Sequence, residues 1–340
     1  MDASTRLRFA DTTVLSVARA DATIVVTSAD IDARLQATYD RVGLRPGMLE
    51  SLAGVRERRW WPVGTRFTDA AVMAGEAALA EAGIDPGRIG VLIDTSVCRE
   101  RLEPSASVDI HRALGLPPSC INFDLGNACL GFLNGMHLAS LLIDSGTVDY
   151  ALVTDGEGSR RPQEVTLDRL ASPTTTREDV MANFATFTLG SGGAAMVLGR
   201  ASAHPEGHRL AAGISRAATE HNGLCIGDLD GMHTDSRGLL AAGVALAEDT
   251  WRDAAQFADW TDLDAYVIHQ VSQVHTEAIT TALAIDPTRV PVTFPTRGNV
   301  GPASIPFTLA THATSLRRGQ RIACMGIGSG INAAVIELRW

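Results

Sequence analysis

Gly126-Asn127-Ala128-Cys129-Leu130-Gly131-Phe132 sets one cysteine between a strand-like run and an almost wholly apolar helix. Upstream, Cys120 to Leu125 alternates in the manner of a strand. Downstream, Leu130, Phe132, Leu133, Met136, Leu138 and Leu142 carry a buried helix to the stop at Asp144-Ser145-Gly146. Cys129 is therefore expected at or near a helix N-terminus. Unpaired backbone N–H groups and the positive end of the helix dipole favour a thiolate there, and a developing oxyanion beside it.

The surroundings of this stretch are those of a soluble α/β protein. The chain of 340 residues is 45% hydrophobic and 20% charged, enough for one large or two moderate domains with a substantial core. A net charge of −10 argues against nucleic acid as a partner, because tracking phosphates needs a basic face. The five cysteines are widely spaced and contain no C-x-x-C pair, which speaks against a disulfide framework or a metal site. With no apolar leader and no run of the length a membrane span needs, the expected location is cytoplasmic.

The second half repeats the first. Val91-Leu92-Ile93-Asp94 matches Tyr266-Val267-Ile268-His269 at an offset of 175 residues, from 94 to 269. The block from Cys129 to Tyr150–Asp155 resembles Gly301–Gly328, whereas Gly190-Ser191-Gly192 matches Gly328-Ser329-Gly330 at an offset of only 138. Two halves, 1–202 and 203–340, are thus expected, with an insertion at about 156–188 in the first. That polar segment is read as a surface cover.

Three further pieces carry chemistry if the halves meet. His269 ends an apolar strand and is followed by Gln270; Asn299, in Gly298-Asn299-Val300-Gly301-Pro302-Ala303-Ser304, opens a helix; Gly326–Gly330 brings backbone amides to a turn. A cysteine thiolate can attack a thioester carbonyl while amides hold the oxyanion. Histidine and asparagine side chains can donate to a second carbonyl. Taken in order with Gly54-Val55-Arg56-Glu57-Arg58, these segments resemble the thiolase superfamily in its ketoacyl-synthase-III-like branch, over nearly the full length. The resemblance implies a thiolase fold, two duplicated α/β halves in five α-β-α-β-α layers, and an obligate homodimer. It also implies a catalytic triad of Cys129, His269 and Asn299, with oxyanion donors at the amides of Cys129 and Gly330.

Within that branch, Arg101-Leu102-Glu103-Pro104-Ser105, Ala218-Thr219-Glu220 with Asn222, and Gly298 to Ser304 resemble the head-to-head acyl-CoA condensing enzymes of bacterial olefin and β-lactone biosynthesis, the OleA type. Fatty-acid-initiating relatives have a bulky apolar residue where Glu103 stands, reaching across the dimer interface. A malonyl substrate makes its carbanion by losing carbon dioxide. A plain acyl-CoA must lose an α-proton, which needs a positioned carboxylate whose pKa desolvation raises. Glu103, supplied by the partner subunit, is the expected base.

The expected reaction is a non-decarboxylative Claisen condensation of two long-chain acyl-CoAs through acyl-Cys129, giving a 2-alkyl-3-ketoacyl product for downstream pathway enzymes. No cofactor is called for, coenzyme A thioesters being substrates. Arg56, Arg58, Arg59 and Trp60 are the candidate CoA contacts, since Val274 occupies the region where carrier-protein-using relatives have an arginine. Two alternatives stand beside this reading: a decarboxylative 3-oxoacyl-ACP synthase III, and one subunit of a heterodimeric condensing enzyme.

Overall fold

The strands and helices of the sequence assemble into one ten-stranded sheet made of two equivalent parts, seen in a computed structural model that describes residues 4–340. In the first part, Ile121–Asp124, Val91–Asp94, Tyr150–Glu157, Gly192–Arg200 and Thr12–Asp21 lie side by side. The first three are parallel, and the last two each run antiparallel to the strand before. In the second, Ala265–Ile268 and Arg321–Gly328 are parallel, and Asn332–Arg339 and His208–Ala217 follow antiparallel. The succession is the same. Val91–Asp94 stands where Ala265–Ile268 stands, and Tyr150–Glu157 where Arg321–Gly328 stands. Along their edges the two parts pair, among the described residues, through Thr13↔Arg209 and Val14↔His208. The short strand Thr5–Leu7 completes the far edge of His208–Ala217.

Helices fill the space between and outside the sheets. Gly131–Asp144 and Ser304–His312 form the middle layer, where Phe132, Leu133 and Met136 share a core with Ile305 and Leu309. That core draws strand residues from both parts, among them Ile93, Val153, Val267 and Cys324. Outside the first part lies Phe67–Ala82, presenting Ala70, Ala71, Ala74 and Ala78 to the sheet. This helix sits so close that a Cβ at Gly156 would fall 2.1 Å from the Phe67 carbonyl oxygen, so only glycine fits there. Outside the second part lie Ser236–Ala254 and Gln273–Ala282. The five layers implied by the resemblance are all present.

Between Tyr150–Glu157 and Gly192–Arg200, where an insertion is expected, the chain forms helices Arg160–Leu170 and Arg177–Ala182 and the 3₁₀ turn Phe184–Thr188. This segment is tied to the hairpin Cys225–Asp228/Gly231–Thr234 by Met232 N–H donating to Thr186 Oγ1 at 3.1 Å. All five cysteines are free thiols. Among the described residues, no helix is long and apolar enough to cross a membrane, and no group of metal-ligating side chains is gathered.

Candidate active site

The nucleophile turn is built by its backbone. Leu130 N–H donates to the Asn127 carbonyl and Gly131 N–H to the Ala128 carbonyl, both at 3.0 Å. Closing so tight a turn puts Ala128 at φ 44°, a left-handed conformation that costs a non-glycine residue on the order of 1 kcal/mol. The helix proper begins at Gly131, two residues beyond Cys129. Side chains then brace the turn: Asn127 donates to Asn134 Oδ1 at 2.6 Å, and Asn332, at the start of the last strand, donates to Asn127 Oδ1 at 3.3 Å.

His269 follows the strand Ala265–Ile268, its N–H donating to Met325 O at 2.8 Å in the neighbouring strand. Its imidazole is buried with Nδ1 unpartnered, and burial, with His275 nearby, lowers its pKa to about 4. The ring is neutral at physiological pH. Gln270 next to it, wholly buried, donates to Ile268 O at 2.8 Å and accepts from Thr293 N–H at 2.8 Å. It stitches the histidine strand to the segment that leads to Asn299. Asn299 Oδ1 is engaged by Gly301 N–H at 3.0 Å and Ser304 Oγ at 3.4 Å, which turns its amino group into the available end. The N-cap-like bond is real, and it positions a donor.

Cys129, His269 and Asn299 all open on one cavity of about 170 Å³, continuous with solvent and lined mainly by apolar side chains. The Gly326–Gly330 turn reaches this cavity through Gly328 and Ser329. Gly330, expected as an oxyanion donor, is not among the lining residues; it follows Ser329 at φ 130°. Cys225, on the hairpin under the insertion, lines the same cavity, as do Ala185, Thr188 and Leu189 of the insertion's end.

Glu103 does not line the cavity of its own chain. It is exposed on a loop beside Leu102, which is 95% exposed. The loop is anchored by Asp124, whose carboxylate accepts from Ala106 and Ser107 N–H groups at 2.9 Å each. The candidate CoA contacts are corrected in two places. Arg58 is fully buried, bonding to Val26 O and Ser28 Oγ, and Trp60 is buried with its indole N–H on Gln163 Oε1 at 2.6 Å. Both are structural members of a hairpin whose alternate residues face inward, a period that a run of basic residues conceals. Arg56 remains exposed.

Behind the nucleophile lies a group that sequence reasoning missed. Asp94, Asp155 and Glu157 are buried at the ends of adjacent parallel strands. Burial, with Asp124 close by, raises Asp94 to about 7, and burial raises Glu157 to about 7. Burial together with Glu157 drives Asp155 well above the carboxylate range. Desolvation, then Glu157, Cys225 and Asp155, pushes the Cys129 thiol up to about 12. Burial and then the acidic neighbours work against the thiolate that a helix start is expected to favour, and the helix proper begins two residues later. The signal was legible in Thr154-Asp155-Gly156-Glu157, two acids at the end of an otherwise apolar strand.

Comparison with known proteins places this geometry. The description "3-Oxoacyl-[acyl-carrier-protein (ACP)] synthase III" matches residues 123–215, and its C-terminal counterpart matches residues 254–340. The chain is 43% identical over 336 residues to an acyl-CoA:acyl-CoA alkyltransferase of Xanthomonas campestris, covering 98% of this chain and 99% of that one. It is 32% identical over 351 residues to a Shewanella oneidensis protein of the same name, covering 98% and 100%. A crystal structure of Xanthomonas campestris OleA with bound lauric acid and lauroyl-CoA superposes with a TM-score of 0.96, at 42% identity, covering 98% and 100%.

Proposed function

Since this chain belongs to the acyl-CoA:acyl-CoA alkyltransferases, within the 3-oxoacyl-ACP-synthase-III-like branch of the thiolase fold, we propose that it joins two fatty acyl-CoAs head to head. The observation that carries this reading is that Cys129, His269 and Asn299 open together on one long apolar cavity.

In the first half-reaction, the Cys129 sulfur attacks the thioester carbonyl of one acyl-CoA. Its proton passes by way of neutral His269 to the departing CoA thiolate, leaving acyl-Cys129 and free CoA. The amide of Cys129 and that of Gly330, at the end of the Gly326–Gly330 turn, hold the oxyanion. A second acyl-CoA then binds with its thioester oxygen at His269 and the Asn299 amino group. Glu103 of the partner subunit takes its α-proton; the resulting enolate attacks the acyl-Cys129 carbonyl, and the Cys129 thiolate leaves. The product is a 2-alkyl-3-ketoacyl-CoA. A cytoplasmic homodimer feeding olefin- or β-lactone-forming enzymes completes the reading, and an exposed Leu102-Glu103 loop is what such a dimer would use.

Incubation of the protein with one long-chain acyl-CoA, followed by mass spectrometry, tests it. CoA release and a head-to-head ketone are expected, the ketone forming once water hydrolyses the product thioester, releasing the second CoA, and the resulting β-keto acid loses carbon dioxide. Product only when malonyl-CoA is supplied would overturn the reading in favour of a decarboxylative synthase. Glu103→Ala is expected to acylate Cys129 normally and to lose condensation.

A further inference from the structure

The cavity that begins at Cys129 follows one helix to its end. Ser236, Leu239 and Leu240 line it at the start of Ser236–Ala254, Gly243 and Ala247 in the middle, and Trp251 in the final turn. These residues fall on one face at steps of three and four, and from Ser236 to Trp251 the helix rises about 22 Å. Trp251 stands at the end remote from the chemistry. His269 follows one end of the strand Ala265–Ile268, whereas Trp251 packs against Tyr266 near the other, with ring centroids 6.3 Å apart.

Behind Trp251 is a second space of about 130 Å³, open to solvent and lined by Ala254, Ala258, Asp259, Trp260 and Thr261. Trp251 is the one residue that lines both spaces, its ring 5.6 Å from that of Trp260. The middle of the channel is kept open by a residue that the helix itself disfavours. Glycine inside a helix costs about 1 kcal/mol relative to alanine. Yet Gly243 has no crowding to justify it: the nearest atom to a Cβ built there is Ile327 Cδ1, at 3.9 Å. The missing side chain leaves channel volume.

We propose that Trp251 is the end-stop of an alkyl channel leading from Cys129, and that Trp251 and Gly243 together set the longest acyl chain the enzyme accepts. The proposal rests on the acyl-CoA reading above. Opening the wall joins the channel to the space at Trp260; filling position 243 closes the channel short of it.

Saturated acyl-CoAs from octanoyl to stearoyl, supplied singly to wild type, Trp251→Ala, Trp251→Phe and Gly243→Leu, test this. Trp251→Ala is expected to raise the ratio of longest-chain to shortest-chain condensation by about tenfold, the effect of housing two more methylenes. Trp251→Phe, which keeps a ring against Trp260 and Tyr266, shifts it less in the same direction, and Gly243→Leu shifts it the opposite way. The same order is expected for the longest free fatty acid that raises the melting temperature of each protein. Unchanged chain-length profiles with active wild type would overturn the end-stop and leave the function standing. Wild type that condenses no acyl-CoA would refute the function, and the fatty-acid melts would then decide the channel alone: an identical length limit in all four proteins overturns it.

Discussion

Gly328 meets Asn127 with no side chain between them: a Cβ at position 328 would lie 3.0 Å from the Asn127 carbonyl oxygen and 3.2 Å from the Leu130 nitrogen. Those atoms belong to the turn that presents Cys129, and that turn has little slack with Ala128 already at φ 44°. Gly328→Ala is therefore expected to cut the rate of Cys129 acylation about a hundredfold by displacing the sulfur, and to lower the melting temperature by only a few degrees. Acylation followed by intact-protein mass, beside a thermal melt, separates the two effects. An unaltered acylation rate would mean that the turn does not depend on this contact.

Asn299→Asp tests which end of the amide matters. The aspartate keeps an oxygen for Gly301 N–H and Ser304 Oγ but replaces the amino group with a second acceptor. Condensation should fall by about 10²–10³-fold with the fold intact, the loss expected for one donor to a developing enolate oxygen. Wild-type turnover in this variant would remove the donor role.

The Cys129 thiol, pushed up to about 12 by burial and then by Glu157, predicts a steep alkylation profile. Thiolate is the reactive form, so the rate with iodoacetamide should climb about tenfold per pH unit from neutrality to pH 9, without a plateau. Glu157→Gln removes the leading charged neighbour and should speed alkylation at any fixed pH above about 7, where Glu157 is ionised. A plateau near neutrality would show that the backbone at the turn holds a thiolate after all.

Asp94 gives a stability signature of definite sign. Its pKa is raised from 3.8 to about 7, so the folded state holds a proton that the unfolded state has released. That contribution is fully present below the unfolded value and is lost as pH rises through about 7, amounting to about 4 kcal/mol at most. The advantage of Asp94→Asn over wild type should therefore grow from pH 4 to pH 8, as read by urea denaturation at each pH. His269 works in the other direction, its contribution present above 6.5 and lost as pH falls toward about 4. A constant difference between Asp94→Asn and wild type would place the buried proton elsewhere.

The fold was legible because its signals are local and repeated. Apolar strands ending at Asp94 and His269 match in sequence and occupy matching places in the sheet. The cavity-facing Cys129, His269 and Asn299 were legible because each closes a regular element at a turn of small residues. What escaped is what depends on third neighbours. Whether Arg58 faces solvent is decided by its hairpin's register against Ile24–Thr27. Which residues of Gly326–Gly330 line the cavity is likewise a matter of the backbone path, not of their identities. The rise in the Cys129 pKa comes from burial and then from carboxyl groups on another strand, which no window around the cysteine contains.

The brace from Asn332 to Asn127 spans 205 residues of chain. A chain growing from its N-terminus therefore makes its nucleophile long before the groups that set it. Cys129 and its helix can form early, but the turn acquires Gly328 and Asn332 only when the last two strands pair. Until then the cysteine is an ordinary thiol without a shaped site. Catalytic competence waits for the strands that carry Gly328 and Asn332, even though the unshaped thiol ionises more readily than the buried one.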